Sequence, residues 1–532
     1  MKNYKLSQIS VLLALTIVTQ AGFGRQMRPQ GPAAHQQTPG YPVPDFTKND
    51  FVGEATKVED FIKAGGVSNA NCQPFLTAVT KSVVDFDLAK ANKNQLVRQG
   101  HEILSTLWGI RLALHDQISA QNLNAACVDQ VKTTYRTMRA VEDYVGEFVY
   151  PEFKQVKSET LDFQKQPTPL EDQAAYPPYH LNPQFQASGF HFQTGDIMIT
   201  KGVSFLSSTI SAIPDVSSQY SHIVFVNVNE KTGEVRTLES YVGPGFDTYA
   251  IDYALKNENA RILVLRPKNQ AMGKDASDRM MNRLLEAKSA GKKIPYDYNL
   301  DFKDHSALSC AEVAEEGFEE ASGGSVILPM FSSEISLKNP KFLHAIGLKQ
   351  GHIFTPIDVE TDPRFDVVLE WRDQRLMRDS RYKDAVMHAS MTWMNERAYQ
   401  LHSPLKNWAG AELIGFARGN DALWAMTKKL LGVTDDIRDV PVRTLIAIGT
   451  IKAAGEVLLN HVYAADAKHI TATGWPMTNV EIEKELDVFR AADLKRYVAG
   501  KKSQFHQFFR PPNERDNASS ATRAESAATE IQ

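Results

Sequence analysis

Cysteine is scarce in this chain, which contains three among 532 residues. The three stand far apart, at Cys72, Cys127 and Cys310, so they cannot form the closely spaced pairs that hold a structural zinc ion. No His-Glu-x-x-His motif and no calcium-binding loop occurs either. The sequence therefore predicts no dedicated metal site.

Other signatures of function are also missing. A net charge of −4, without a basic patch that includes aromatic residues, argues against nucleic acid as a partner. No glycine-rich phosphate loop follows a strand, because the run Gly243-Pro244-Gly245 is more typical of a turn. The Gly-x-Ser-x-Gly elbow of many serine hydrolases is absent. These absences leave the cysteines and histidines as the main candidates for chemistry.

Long apolar runs are few, and the first lies close to residue 1. Lys2 and Lys5 precede the apolar run 9–18, and small residues follow it. This order predicts a secretory signal peptide over residues 1–24 and a periplasmic or secreted protein. A signal anchor is the alternative, although the run is short for a membrane span. A second run, 440–464, is interrupted by charges and favours a buried helix, so we expect no stable membrane span in the mature chain.

The two remaining segments of the N-terminal half differ in composition. Residues 25–47 are rich in Pro, Gln and Gly and predict a flexible leader. Residues 48–160 have helical periodicity and predict a helical domain. A proline-rich linker is expected from about 155 to 187.

Beyond the linker the pattern changes to short β-type runs followed by helices. The predicted strands are Asp196–Thr200, His222–Val228, Val235–Tyr241, Ile262–Leu265 and Phe365–Trp371. Helices are expected at about 276–290 and from Ser309 onward. Residues 376–510 return to a helical pattern, and 511–532 form a Ser/Ala/Glu-rich tail that predicts disorder. The predicted fold class is α+β, with helical regions on both sides of the mixed segment.

Two of the cysteines have similar surroundings. Cys72 follows Asn-Ala-Asn and Cys127 follows Asn-Ala-Ala, both within the first helical region. In an oxidising compartment such a pair is expected to form a disulfide. Closing so long a loop contributes about 4 kcal/mol in the chain-entropy account. Cys310 then remains as the free thiol.

Cys310 stands at the predicted start of a helix. Ser309, followed three residues later by Glu312, has the spacing of a capping box. The free amides and the dipole of a first helical turn favour a thiolate, and the same amides could hold an oxyanion. The alternative is a small apolar residue that happens to begin a helix.

A thiolate nucleophile needs a base, and His222 at the start of a predicted strand is the best candidate. The turn-forming stretch 229–233 predicts a hairpin that places Glu239 directly opposite His222, where its carboxylate could orient the ring. A register shift of one residue would present Ser240 instead. His305 is the rival base, but its loop shows nothing that would orient it.

A series of short motifs occurs in a defined order along the middle segment. They are Gly195-Asp196-Ile197, Tyr220-Ser221-His222-Ile223, Leu238-Glu239-Ser240, Pro295-Tyr296-Asp297, Ser309-Cys310-Ala311-Glu312, Thr355-Pro356-Ile357-Asp358 and Asp362-Pro363-Arg364-Phe365. Together they resemble the permuted papain-like amidase family of YaeF/YiiX type, circularly permuted relatives of the NlpC-type cell-wall endopeptidases. Histidine precedes cysteine in that family, as it does here. The resemblance covers about 190–375, and Ala311 stands where the family often has serine.

The resemblance implies a permuted papain-like catalytic domain at 188–375, with an antiparallel sheet and a catalytic helix. It further implies that Cys310 is the nucleophile, His222 the base and Glu239 the residue that orients it. Tyr296, Asp297 or Asp196 could contact the substrate or help to hold the oxyanion.

Such a thiol enzyme needs no cofactor, and it would cleave amide bonds, as in peptidoglycan peptides. A lipid-derived acyl substrate is one alternative. A second is a non-catalytic binding or scaffolding protein of the cell envelope, which the length of the two helical regions makes reasonable.

Overall fold

The computed structural model describes residues 40–46, 50–86, 88, 91–349, 351–403, 405–431 and 437–512. The predicted signal peptide therefore lies outside the described residues, as do most of the predicted leader and residues 513–532 of the predicted tail. The described residues from Tyr41 onward belong to one compact unit.

Four helices form the first region of the chain. They are α1 (Phe51–Lys63), α2 (Cys72–Asp85), α3 (Lys93–Ala120) and α4 (Ala125–Val149). Asp50, Asn92 and Asn124 precede α1, α3 and α4, and each side chain accepts a hydrogen bond from an amide of the first turn. A disulfide joins Cys72 and Cys127, whose Cα atoms lie 5.8 Å apart, so the two predicted partners meet where α2 and α4 begin.

A seven-stranded antiparallel sheet forms the centre of the middle segment. Its strands are β1 (Tyr179–Leu181), β2 (Ile197–Gly202), β3 (His222–Val228), β4 (Val235–Tyr241), β5 (Gly245–Ala250), β6 (Asn259–Pro267) and β9 (Phe365–Arg372). The spatial order is β1-β9-β6-β2-β3-β4-β5. This architecture, with helices before and after it, is the predicted α+β class.

The helices of the middle segment and of the C-terminal region complete the fold. They are α5 (Phe205–Ala212), α6 (Ile251–Leu255), α7 (Gln270–Ser289), α8 (Cys310–Ser322), α9 (Pro340–Ala345), α10 (Pro356–Glu360), α11 (Met377–Arg397), α12 (Leu405–Ala417), α13 (Asp421–Leu431), α14 (Val442–Thr473) and α15 (Asn479–Val498). Two small ribbons pair β7 (Ser333–Glu334) with β8 (His352–Ile353) and β10 (Gln400–Leu401) with β11 (Phe509–Arg510). In the described part of the chain no helix is long and apolar enough to cross a membrane.

The two faces of the sheet are buried against different partners. Ile223 and Phe225 of β3 point toward α7 and α8, where Phe225 meets Phe318 with ring centroids 5.8 Å apart. Val224 and Val226 point to the opposite face and join a separate apolar cluster. Successive side chains of a strand alternate between faces, so burial on both sides explains why β3 is almost continuously apolar.

Close approach of α8 to the sheet depends on one glycine. A Cβ at Gly317 would lie 3.0 Å from the Ala276 carbonyl oxygen of α7 and 3.2 Å from the Phe225 ring. A larger residue would force α8 away from α7 and β3. Because α8 begins at Cys310, this contact fixes where the free cysteine stands relative to β3.

The sequence predicted β3 and β4 with their observed bounds, but it missed both edges of the sheet. The proline-rich stretch read as a linker contains β1, whose residues Tyr179–Leu181 pair with 369–371 of β9. The stretch after Gly243 continues as β5, where Phe246 pairs with Ser240. Both strands are short or interrupted by polar residues, so their pairing depends on a partner strand rather than on a local pattern.

A buried ionic network connects the first helices to the sheet. Arg111 of α3 and Glu142 of α4 contact each other at 3.3 Å, and Arg111 also pairs with Glu370 of β9. Tyr220 donates a hydrogen bond to Glu370 at 2.9 Å. All four side chains are buried, so each charge needs its partner. The network thereby holds the backbone that leads into His222.

Candidate active site

Cys310 occupies the first position of α8. Ser309 is the N-cap, and the predicted capping box forms. The Ser309 hydroxyl accepts a hydrogen bond from the backbone amide of Glu312 at 3.5 Å, and the Glu312 carboxylate accepts one from the backbone amide of Ser309 at 2.6 Å. Cys310 is the free cysteine of the described residues, and the residue is partly exposed. A partly exposed cysteine thus lies at the positive end of a helix dipole.

The first turn of α8 also offers backbone donors. The Glu312 amide bonds to Ser309, but the amides of Cys310 and Ala311 have no carbonyl partner within the helix because they precede its first turn of hydrogen bonds. The loop before them is held to the sheet, since the Ser240 hydroxyl donates to the Leu308 carbonyl. An anionic oxygen beside the Cys310 sulfur could accept from these amides.

His222 lies at the start of β3, as predicted, but the predicted hairpin register is wrong by two residues. Phe225 pairs with Leu238 and Val228 with Val235, so the same register sets Tyr241 opposite His222. The turn includes Glu234, whose carbonyl accepts from the Asn229 amide at 2.9 Å, and this longer loop shifts the pairing.

Glu239 nevertheless reaches His222 across the diagonal of the strand pair. Residues two positions apart on one strand share a face, and long side chains span the diagonal. His222 Nε2 and Glu239 Oε2 are 2.9 Å apart. The predicted contact is present, although it is made diagonally rather than between directly opposed residues.

The Glu239 carboxylate is fully buried and accepts from two hydroxyl groups besides the imidazole. Thr237 donates to Oε1 at 2.5 Å, and Tyr241 donates to Oε2 at 2.5 Å. A carboxylate surrounded by donors is an acceptor only, so Nε2 of His222 carries the hydrogen in this contact. The other ring nitrogen, Nδ1, is then left to face the sulfur.

His222 also makes a side-chain hydrogen bond with Cys310. Burial alone would lower the pKa of His222, but the hydrogen bonds and the charges of Cys310 and Glu239 outweigh it and raise the pKa to about 10. The side chain is 17% exposed, so solvent screens these interactions only in part. These contacts favour the protonated imidazolium form of His222 near neutral pH.

Tyr241 is a residue of the site that the sequence reasoning missed. Its ring stacks on the His222 ring, with centroids 4.7 Å apart and planes at 20°. Its hydroxyl accepts a hydrogen bond from the Asn257 amide at 3.0 Å while donating to Glu239. Alternation along β4 was the available signal, because Glu239 and Tyr241 share a face. Tyr241 restricts both the position and the tilt of the imidazole.

Two of the weaker sequence candidates lie on the loop before α8. Tyr296 is half-buried, and burial together with the nearby Cys310 and Glu312 charges raises its pKa well above the ordinary value. Asp297 is buried, and its carboxylate accepts from the amides of Asn299 at 2.7 Å and Asp301 at 2.6 Å. Tyr296 therefore lies within electrostatic reach of Cys310, whereas Asp297 shapes the loop.

Asp297 also hydrogen-bonds to Glu312, which lies two residues after Cys310. Burial is the largest cause that raises the pKa of Glu312, to about 7, and the neighbouring Asp297 raises it further while the Ser309 hydrogen bonds oppose the shift. With its pKa raised in this way, Glu312 can carry the proton that a hydrogen bond between two carboxyl groups requires. The pair links the loop that carries Tyr296 to the first turn of α8.

The structure corrects the substrate-contacting role considered for Asp196. Its carboxylate is fully buried and forms two 2.8 Å hydrogen bonds with the Arg266 guanidinium. The backbone carbonyl of Asp196 accepts a hydrogen bond from the backbone amide of Val226. Val226 lies on β3, four residues after His222. Asp196 thus supports the far end of the strand.

The rival base does not share this environment. His305 Nδ1 lies 2.8 Å from Glu316 Oε1, so a carboxylate does orient the ring, contrary to the expectation from sequence. Burial lowers the pKa of His305, but the hydrogen bond and the charge of Glu316 outweigh this effect and raise the pKa. Its partner is this glutamate of α8 rather than the free thiol.

In the ranges that the structure describes, no group of three or more His, Cys, Asp or Glu residues is arranged to hold a metal ion. Comparisons with protein-family models, curated proteins and solved structures found no significant match to this chain.

Proposed function

We propose that this chain is a cysteine hydrolase of permuted papain-like fold, with Cys310 as nucleophile, His222 as base and Glu239 as the orienting residue. One observation carries the proposal: the His222 imidazole is hydrogen-bonded both to the Cys310 side chain and to a buried carboxylate. A nucleophile, a base and a group that orients the base are the parts that thiol acyl transfer needs. The histidine and the glutamate come from the adjacent strands β3 and β4, and the cysteine comes from α8, which packs against both strands.

The mechanism follows from these positions. The Cys310 thiolate attacks the carbonyl carbon of an amide, and the electron pair moves to the oxygen, which the amides of Cys310 and Ala311 can hold. His222, protonated on Nδ1, gives its proton to the departing amine as the carbon–nitrogen bond breaks. Water then loses a proton to His222 and attacks the thioester, and breaking of the carbon–sulfur bond releases the acid and restores the Cys310 thiolate beside the protonated His222.

The order of the elements supports the permuted form of the fold. The histidine lies on β3 and the cysteine on the later helix α8, while an antiparallel sheet packs against α7 and α8. Circular permutation changes the order of these elements along the chain but leaves their packing intact. The flanking helical regions would then be additions to this core.

The substrate class is proposed from the expected location. A periplasmic or secreted hydrolase of this type would cleave amide bonds of cell-wall peptides. Lipid-derived acyl groups are the second candidate. Neither substrate requires a metal ion or an organic cofactor, because the thiol supplies the nucleophile.

A thiol-reactive probe tests the chemistry without knowledge of the substrate. We expect an iodoacetamide probe to label Cys310 rapidly near neutral pH, and His222→Ala to slow labelling by about tenfold or more, since one pKa unit is a factor of ten. His461→Ala is the matched control, because His461 forms an equivalent 2.9 Å pair with Glu485 elsewhere in the fold. Its labelling should equal that of the wild type.

Turnover is tested on peptidoglycan-derived peptides and on lipid esters, with Cys310→Ala as the blank. A wild-type Cys310 that reacts no faster than a free thiol, with no turnover of either substrate, would instead support a binding or scaffolding protein. Rapid labelling that is insensitive to His222→Ala would remove the proposed base.

A further inference from the structure

The Tyr241 hydroxyl and the His222 imidazole share one oxygen of the Glu239 carboxylate. His222 Nε2 lies 2.9 Å from Oε2, and the Tyr241 hydroxyl donates to the same atom at 2.5 Å. The other oxygen, Oε1, accepts a hydrogen bond from the Thr237 hydroxyl at 2.5 Å. Neither oxygen is therefore left to the imidazole alone, and the tyrosine competes with the histidine for the charge of Oε2.

Tyr241 remains a donor while the histidine changes its protonation state. Burial is the largest cause that raises the pKa of Tyr241, and the charge and the hydrogen bond of Glu239 raise it further. Tyr253, on α6, adds a smaller effect in the same direction. The hydroxyl therefore keeps its proton and directs it to the carboxylate.

Asn257 lies on the other side of the Tyr241 hydroxyl. Its Nδ2 donates to Tyr241 Oη at 3.0 Å. The NH2 group must face this oxygen, because the one proton of the hydroxyl already points to Glu239. A hydroxyl that accepts a hydrogen bond becomes a stronger donor, since the bonds of a chain polarise one another. Asn257 therefore strengthens the hydrogen bond from Tyr241 to Oε2.

The loop that carries Asn257 is fixed by contacts of its own. Asn257 comes two residues after the end of α6. The Asn259 side chain donates to the Ala254 carbonyl at 2.8 Å. The Glu258 carbonyl accepts from the amide of Val203, the residue after β2, at 3.1 Å. These bonds join the loop to α6 and to the sheet, so the position of Asn257 relative to β4 is defined.

Competition for Oε2 weakens the ion pair that His222 forms. Burial lowers the pKa of His222, whereas Cys310 of α8 and Glu239 of β4 raise it. A carboxylate that already accepts hydrogen bonds is stabilised by them, so it gains less from a further cationic partner. The imidazolium is then held less tightly than it would be by an unshared oxygen. A ring that both gives and takes a proton works best when neither form is strongly favoured.

We propose that Asn257 is a positioning residue of this site, which acts through the Tyr241 hydroxyl to limit the negative charge that Glu239 presents to His222. This limit is a property of the hydrogen-bonded chain that runs from Asn257 through Tyr241 and Glu239 to the imidazole. Only its use, to let His222 release its proton to a leaving amine, rests on the function proposed above.

A titration of ¹³C-labelled histidine by NMR tests the proposal. Every variant carries Cys310→Ala, so that the sulfur does not contribute to the midpoint of the His222 titration. Tyr241→Phe keeps the stacked ring and removes the hydroxyl. It should raise the midpoint by about one pKa unit, the size of one hydrogen bond to a charged group. Asn257→Leu should raise it by roughly 0.2–0.5 unit, because the hydroxyl remains as a weaker donor.

A double variant shows whether Asn257 acts through the tyrosine. In the Tyr241→Phe background, the further change Asn257→Leu should leave the midpoint where it is, because the oxygen that accepts from Asn257 is gone. Asn257→Ala repeats the single change with a smaller side chain and should shift the midpoint in the same direction. Asn259→Leu is the matched control, because it removes an asparagine hydrogen bond of the same loop that ends on the Ala254 carbonyl. Its midpoint should equal that of the parent.

Each outcome supports or overturns the role of Asn257. A midpoint that changes by less than about 0.1 unit in both Asn257 variants, well under 1 kcal/mol, overturns it. A fall of the midpoint does the same, as does an equal shift with and without the Tyr241 hydroxyl. A shift in Asn259→Leu as large as in Asn257→Leu would assign the effect to the packing of the loop instead.

Labelling of Cys310 by iodoacetamide separates this proposal from the hydrolase. It is measured on the same changes in chains that keep the cysteine. Midpoints that move in the expected order, together with a Cys310 that reacts no faster than a free thiol, defeat only the hydrolase. Rapid labelling of Cys310 with unchanged midpoints defeats only the role of Asn257.

Discussion

Replacing Glu239 by glutamine should lower the pKa of His222. Glu239 Oε2 lies 2.9 Å from His222 Nε2, and the glutamate is fully buried. Two unit charges about 4 Å apart interact by about 4 kcal/mol at an effective dielectric constant of about 20. Relaxation reduces this figure, and opposite charges at such distances typically shift a pKa by about 1–3 units. Glutamine keeps the size of the side chain and removes the charge.

The sign of the effect is definite. The carboxylate stabilises the imidazolium, so its removal favours the neutral ring and lowers the pKa of His222 from about 10. The midpoint should move down by about 1–3 units, toward the neutral range. Cys310→Ala in combination with Glu239→Gln separates the contribution of the sulfur from that of the carboxylate.

The assay is a titration of ¹³C-labelled histidine by NMR, with the His222 signal assigned by its loss in His222→Ala. Glu234→Gln is the control, because Glu234 lies in the same hairpin but contacts Arg236 at 2.8 Å instead of the imidazole. A midpoint in Glu239→Gln within about half a unit of the wild type would refute the electrostatic account, since half a unit is under 1 kcal/mol. A rise of the midpoint would reverse its sign.

Three further predictions concern stability. Folding raises the pKa of Glu312 from 4.5 to about 7. Between these two pH values the folded state therefore binds more protons than the unfolded state. The free energy of unfolding should then fall by about 3 kcal/mol as the pH rises from 4.5 to 7. Glu312→Gln, which can still form the capping box, should flatten this dependence in chemical denaturation; an unchanged slope would contradict the assignment. Glu370→Gln should cost about 3–5 kcal/mol, because Arg111 and its neighbours lose a buried counter-charge, and a loss under 1 kcal/mol in the same assay would argue against it. Replacing Cys72 and Cys127 by serine should cost about 4 kcal/mol in non-reducing denaturation, given the sequence separation of 55; equal midpoints for variant and wild type would disprove a stabilising bond.

The features that the sequence predicted well are local ones. Ser309 and Glu312 form their capping box within four residues, so their spacing alone specified where α8 begins. The bounds of β3 and β4 followed from apolar runs flanked by a turn. The contact between His222 and Glu239 was anticipated for the same reason, since a hairpin brings nearby residues together.

The features that it missed depend on partners distant in the chain. The edge strand β1 becomes a strand only because β9, almost 190 residues later, offers its backbone. Asp196 looked available for substrate, yet Arg266 of β6 occupies its carboxylate. The position of Tyr241 opposite His222 follows from the observed register, which differs by two residues from the predicted one.

By itself, the sequence determined which groups are the candidates for the site: a free thiol at a helix start, and a histidine and a glutamate on adjoining strands. Only the tertiary structure decided that the imidazole meets the sulfur, that Tyr241 stacks on the imidazole, and that other acids are buried in ion pairs. The physical reason is that hydrogen-bond spacing within a turn or helix is encoded locally. Contacts between separate elements depend instead on how whole faces pack, and no short stretch of residues specifies that packing.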